Sequence, residues 1–177
     1  MSHNSKRAIY LDHAATTAVD PRVVQAMLPF WTEQYGNASS IYGLGRDSHR
    51  ALDEARQTVA DVLHCSLNEV IFTSCGTESD NLALRGVAFE QRDRARKNHL
   101  ITSPIEHHAV GHTVEQLVAH FGFEATYVHV DSNGVVDPAE VERAIRPDTA
   151  LISIMYANNE VGTIEPIAEI GAVARSR

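Results

Sequence analysis

The sequence has 177 residues, 44% of them hydrophobic, and a formal net charge of −8. This length suits one domain with a real core rather than two full-sized ones, and the acidic balance argues against a nucleic-acid or anionic-membrane partner. No apolar run approaches the roughly 20 residues of a membrane helix. The opening "MSHNSKRAIYLDH" has no apolar signal core, and Cys65 and Cys75 make no disulfide framework, so a cytoplasmic home is expected.

In chain order, "DPRVVQAMLPFW" (20–31) begins a helix, with Asp20 as cap and Pro21 at the first helical position. "YGNASSIYGLG" (35–45) is a loop, and "RDSHRALDEARQTVADVLHC" (46–65) an amphipathic helix. Strand and helix then alternate. "EVIFT" (69–73) is a strand and "TESDNLALRGVAFEQRDRAR" (77–96) a helix, whose final basic cluster complements the helix dipole. "HLITS" is a strand, "EHHAVGHTVEQLVAHF" a helix ending at Gly122, and "ATYVHV" a strand. A turn at "SNG" leads to the helix "DPAEVERAI". "ALISIMYA" is a strand, and "PIAEIGAVARSR" a helix. The alternation predicts an α/β fold: a mostly parallel sheet with helices on both faces. Ligands gather at the carboxyl ends of such strands, which places "SCGT", "SPIEHH" and "YANNE" along one edge.

Each of the three segments admits two readings. At 73–81, small residues precede a helix. Either Ser74 or Thr77 caps it, or its free amides, with Gly76 permitting close approach, hold a phosphate. It is not a Walker loop, because no Gly-Lys-Ser/Thr follows. In "IEHHAVGH", His108 and His112 share a helical face, as a metal pair would, but Ala109 stands where a metalloprotease has Glu. A histidine after a strand can also stack on an aromatic cofactor and carry protons. In "YANNEVG", Asn159 either belongs to a turn or holds a phenolate or carboxylate oxygen, with Glu160 as a supporting acceptor. Both cysteines read as packing residues.

Together, "YLDHAATT" (10–17), "GNASSIYGLGR" (36–46), "IFTSCGTESDNLAL" (71–84), "TSPIEHHAV" (102–110) and "SIMYANNEVGTIEPI" (153–167) resemble the cysteine desulfurases, pyridoxal-phosphate (PLP) enzymes of the class V aminotransferase group, and most closely the nitrogenase and iron–sulfur-assembly branch. The resemblance implies a partial PLP-binding large domain of fold type I over residues 21–177, preceded by a segment, 1–20, that borders the active site. It implies that Gly76 and Thr77 hold the cofactor phosphate, that His107 stacks on the ring and is catalytic in proton transfer, and that Asn159 lies near the ring oxygen and the substrate carboxylate. Ala14 to Thr17 would border the substrate pocket. It further implies L-cysteine as substrate, alanine and an enzyme persulfide as products, a sulfur-acceptor or scaffold protein, and a homodimer or a complementing C-terminal half. Ala38 departs from the family's usual Pro, and Tyr42 from its frequent His. The family's PLP-pairing aspartate, Schiff-base lysine, persulfide-forming cysteine and substrate-binding arginine lie further on in its longer chain. The lysines here, Lys6 and Lys97, have no family-like context. The expectation is an N-terminal half that is inactive alone. Two alternatives are a non-catalytic remnant or interaction module and, more distantly, a metal-dependent hydrolase built on His107, His108 and His112.

Overall fold

The structure, a computed structural model, describes residues 9–177, so Lys6 lies outside the described residues. The chain forms two compact units, the first running through Phe72 and the second Thr73–Arg177.

In the first unit, "YLDHAATT" closes on itself. The Ala15 N–H donates to Asp12 Oδ1 at 3.2 Å, the Tyr10 hydroxyl to the Thr16 carbonyl at 3.1 Å, and His13 Nδ1 lies 2.9 Å from Thr17 Oγ1. Asp20 caps α1 (Pro21–Met27), accepting the Arg22 N–H at 2.8 Å. The expected single helix is broken. Pro29 lacks an N–H to continue the ladder, and α2 (Pro29–Thr32) starts afresh on it. The helix α3 (Gly43–Leu63) begins earlier than its charged run suggests, because Gly45 lets the 37–40 turn press on its first turn. A Cβ at Gly45 would stand 2.5 Å from the Ser40 carbonyl oxygen. His64, in the left-handed region, ends α3, and a 3-10 turn follows at Leu67–Glu69. "EVIFT" is not a strand. Val70 is extended, but no described strand pairs with the segment, and Ile71 and Phe72 stand 68% and 46% exposed.

The second unit is the predicted α/β layer structure. Its sheet has the order β2-β1-β3 and is parallel throughout, formed by β1 (His99–Thr102), β2 (Glu124–Tyr127) and β3 (Thr149–Ser153). The β2 ladder stops at Tyr127, short of the whole "ATYVHV" run, whose Val130 makes an isolated bridge to Val136. Alternation along β1 sends Leu100 to one face and Ile101 to the other. Leu100 packs with Leu84 and Ala88 of α4 (Gly76–Ala95) and with Val110, Val114 and Leu117 of α5 (His108–Phe121). Ile101 packs with Val141 of α6 (Pro138–Ala144) and Ile170 of α7 (Ile167–Arg175). Every residue of β1 is buried, as a central parallel strand requires. No described helix is long and apolar enough to cross a membrane.

Candidate functional site

The N-terminus of α4 has no side-chain cap. Its N-cap position is Cys75, whose thiol, in place of a capping oxygen, faces the Glu78 and Thr77 N–H groups. Ser74 is engaged elsewhere, its N–H and hydroxyl both donating to Glu78 Oε2, at 2.7 and 2.5 Å. Thr77 lies inside the helix. Neither capping residue suggested by the sequence therefore caps α4, and the Gly76 and Thr77 amides meet no oxygen among the described residues. The space where a Gly76 side chain would lie is open for 4 Å. These amides carry the partial positive charge of a 20-residue helix.

The N-terminus of α5 is treated differently. His107 is its N-cap, and His107 Nδ1 accepts the Ala109 N–H at 3.1 Å. With Nδ1 accepting, the neutral ring carries its proton on Nε2, and the exposed imidazole presents that N–H and its flat face.

Polar contacts between α4 and α5 bring the two helix starts together. Across to α5, Asn81 Oδ1 accepts the Thr113 hydroxyl at 2.9 Å, while within α4 Asn81 Nδ2 donates to the Thr77 carbonyl at 2.9 Å. One turn on, Arg85 donates to Gln116. Stepping back one turn along both helices sets Thr77 beside Ala109 and His107. A cavity of about 390 Å³ opens there, with Thr77, Asn81, Arg85, His107, His108 and His112 in its wall. Uncapped amides, a guanidinium and imidazoles suit an anion bearing a flat ring.

Cys75 is exposed, contrary to the packing role expected for it. The Glu78 N–H, and then the Ser74 hydroxyl, hold its thiol below the ordinary range. Cys65 is half-buried. Among the described residues, no three His, Cys, Asp or Glu converge to hold a metal ion; the rings of His108 and His112 have centroids 5.3 Å apart.

Asn159 is outside the cavity wall, exposed on the loop after β3. Its neighbour Asn158, 8% exposed, makes the turn. Asn158 Oδ1 accepts the Glu160 and Val161 N–H groups at 2.8 and 3.0 Å, and Asn158 Nδ2 donates to the Ile105 carbonyl at 3.1 Å. Asn158 thus builds the turn, and the Asn159 side chain is exposed with no hydrogen bond among the described residues. It is the Glu160 N–H, rather than its carboxylate, that supports Asn158. Sequence reasoning passed over Asn158, Asn81 and Thr113. An Asn ahead of two backbone donors is an Asx-turn signal that points to the first of them.

The class-V aminotransferase family model matches residues 9–177. The chain is 55% identical to the cysteine desulfurase IscS of Methanosarcina thermophila over 169 residues, 96% of this chain and 41% of that protein. A NifS-like protein of known structure superposes with a TM-score of 0.89 at 45% identity, covering 95% of this chain and 45% of that one. SspA, solved in complex with cysteine, superposes at 0.88 and 40% identity, over 94% of this chain and 47% of that one. The chain thus spans less than half the length of the relatives it matches.

Proposed function

The chain belongs to the class-V aminotransferase family, and from that premise we propose that it forms the cofactor-phosphate half of a PLP-dependent cysteine desulfurase. The carrying observation is the shared cavity: Thr77, at the start of α4, and the His107 imidazole line one space, with Gly76 next to Thr77 in the chain but outside the wall. PLP fits the donor set. Gly76 and Thr77 amides would take its phosphate, with Arg85 adding positive charge, and His107 would lie against its ring.

Bound PLP supplies an electron sink that acidifies the α-carbon of an amino acid. The chain's own share is binding, orientation and proton movement. The phosphate would be held by fixed backbone donors that need no reorganisation. His107 keeps Nδ1 on the helix cap, so its exchangeable site toward the cavity is Nε2. Asn159 would orient a ring oxygen or the substrate carboxylate, and Ala14 to Thr17 would border the substrate. The segment 1–20 as an active-site border, of which residues 1–8 lie outside the described residues, and 21–177 as a partial large domain remain part of the proposal. So do L-cysteine as substrate, alanine and a persulfide as products, a sulfur-accepting protein, a cytoplasmic setting, and assembly as a homodimer or with a complementing C-terminal half.

Lys97 does not serve the cavity. It lies just past the far end of α4, whose 20 residues span roughly 30 Å at 1.5 Å per residue. We therefore propose that the chain alone does not desulfurate cysteine. The imine-forming lysine and the sulfur-accepting cysteine would come from sequence matching the remainder of the relatives. The test is to incubate the purified chain with PLP and L-cysteine, alone and co-expressed with the C-terminal part of the Methanosarcina thermophila protein. Alanine and sulfide from the pair only are expected; product from the chain alone would contradict the proposal.

A further inference from the structure

We propose that Glu106 is a positioning residue: its carboxylate bridges the loop after β1 to the loop after β3 and so holds His107 and Asn159 as one unit. Glu106 Oε1 accepts the Ser103 hydroxyl at 3.0 Å, within its own loop, and the Met155 N–H at 2.8 Å, across the sheet edge. The second tie runs the other way, from the Asn158 side chain to the Ile105 carbonyl. Each loop thus lends a side chain to the other's backbone. Both ties end next to the groups that matter, since Ile105 and Glu106 precede His107, and Asn158 precedes Asn159.

A glutamate in such a loop ordinarily points to water. Glu106 instead turns inward, and burial pushes its carboxyl upward, helped by the Glu165 and Asp80 charges and opposed by the Met155 N–H and Ser103 hydroxyl. Its negative charge is thus a disadvantage where it sits. What the site uses is one acceptor oxygen at the right place, which a glutamine also offers. The requirement is geometric: a misplacement of about 1 Å in a catalytic group can lower a rate by about a hundredfold.

The inference rests on reading the cavity as a cofactor site, and its test separates the two. Isotope-labelled wild type, E106Q, E106A and E106D are compared by amide hydrogen exchange at Met155, by the His107 ring resonances, and by titration with PLP. In E106A, Met155 exchange is expected to rise about tenfold or more, the His107 resonances to move or broaden, and PLP affinity to fall about tenfold. E106Q should stay within about threefold of wild type on every readout. E106D keeps the charge but is one methylene short of its donors, so it should behave as E106A does, and it takes over if E106A fails to fold. E106Q failing alongside E106A would overturn the proposal, as would wild-type behaviour of Met155 and His107 in E106A or E106D. If the wild-type chain takes up no PLP, the cofactor reading falls by itself, and the exchange and ring readouts still decide the role of Glu106.

Discussion

Asn81 Oδ1 and the Thr113 hydroxyl lie 2.9 Å apart, joining α4 to α5 in the wall of the cavity. The hydroxyl has one proton, which it shares with the Ala109 carbonyl at 2.7 Å, so Asn81 is one of two acceptors in a small network that Arg85 Nε completes at 3.1 Å. Asn81→Ala removes that acceptor and the donor to Thr77. The chain should lose about 1–2 kcal/mol in urea unfolding, and PLP binding should weaken as the two helix starts drift apart.

Gly76→Ala should separate stability from binding. A methyl group there meets nothing and replaces a flexible residue at a helix start, so stability should rise by roughly 0.5 kcal/mol. The same methyl would crowd a phosphate seated on the Gly76 and Thr77 amides, so PLP affinity should fall about tenfold. Thermal unfolding and a PLP titration of one variant check both signs; a rise or fall of the two together would count against the phosphate assignment.

Cys75 should react first with iodoacetamide. It is exposed and its thiol is held low by the Glu78 N–H and the Ser74 hydroxyl, whereas Cys65 is half-buried. PLP should protect Cys75 and leave the rate at Cys65 unchanged. Peptide mass mapping with and without PLP reads both sites.

Stability should decline as the pH falls below about 6.5. His99 is fully buried; Nδ1 lies 2.9 Å from the Thr149 hydroxyl and Nε2 2.8 Å from that of Thr126, joining β1 to both neighbours. Burial, and then the Arg146 charge, lowers its pKa. The neutral ring is thus favoured in the folded chain, while the unfolded chain takes up the proton. The contribution is complete above the unfolded value and is lost as the pH falls through the folded one. Asp148, held at about 2 by the Arg146 guanidinium, loses its contribution only below about pH 4, in a separate window. Urea midpoints should drop from pH 7.5 to 5.5 in wild type and much less in His99→Asn.

The alternating layers were legible because β1 meets a strand on each side and a helix layer on each face within the chain. "EVIFT" was not, since an extended run becomes a strand only beside another, and Ile71 and Phe72 have none among the described residues. Thr77 and His107 could be picked out from residue type, but their shared cavity depends on the Asn81–Thr113 and Arg85–Gln116 contacts, between residues more than 30 apart in sequence. The turn-building role of Asn158 was hidden for a similar reason. It is set by the Ile105 carbonyl, 53 residues away from Asn158.

The most direct test is an amide-resolved NMR titration of the chain with PLP, with pyridoxal as the phosphate-free control. Saturable shifts at the Gly76 and Thr77 amides and at the His107 ring are expected with PLP, the amide shifts vanishing with pyridoxal. Shifts that leave both amides unmoved, or that appear at Gly76 and Thr77 without any response from His107, would contradict a single site built from the two helix starts.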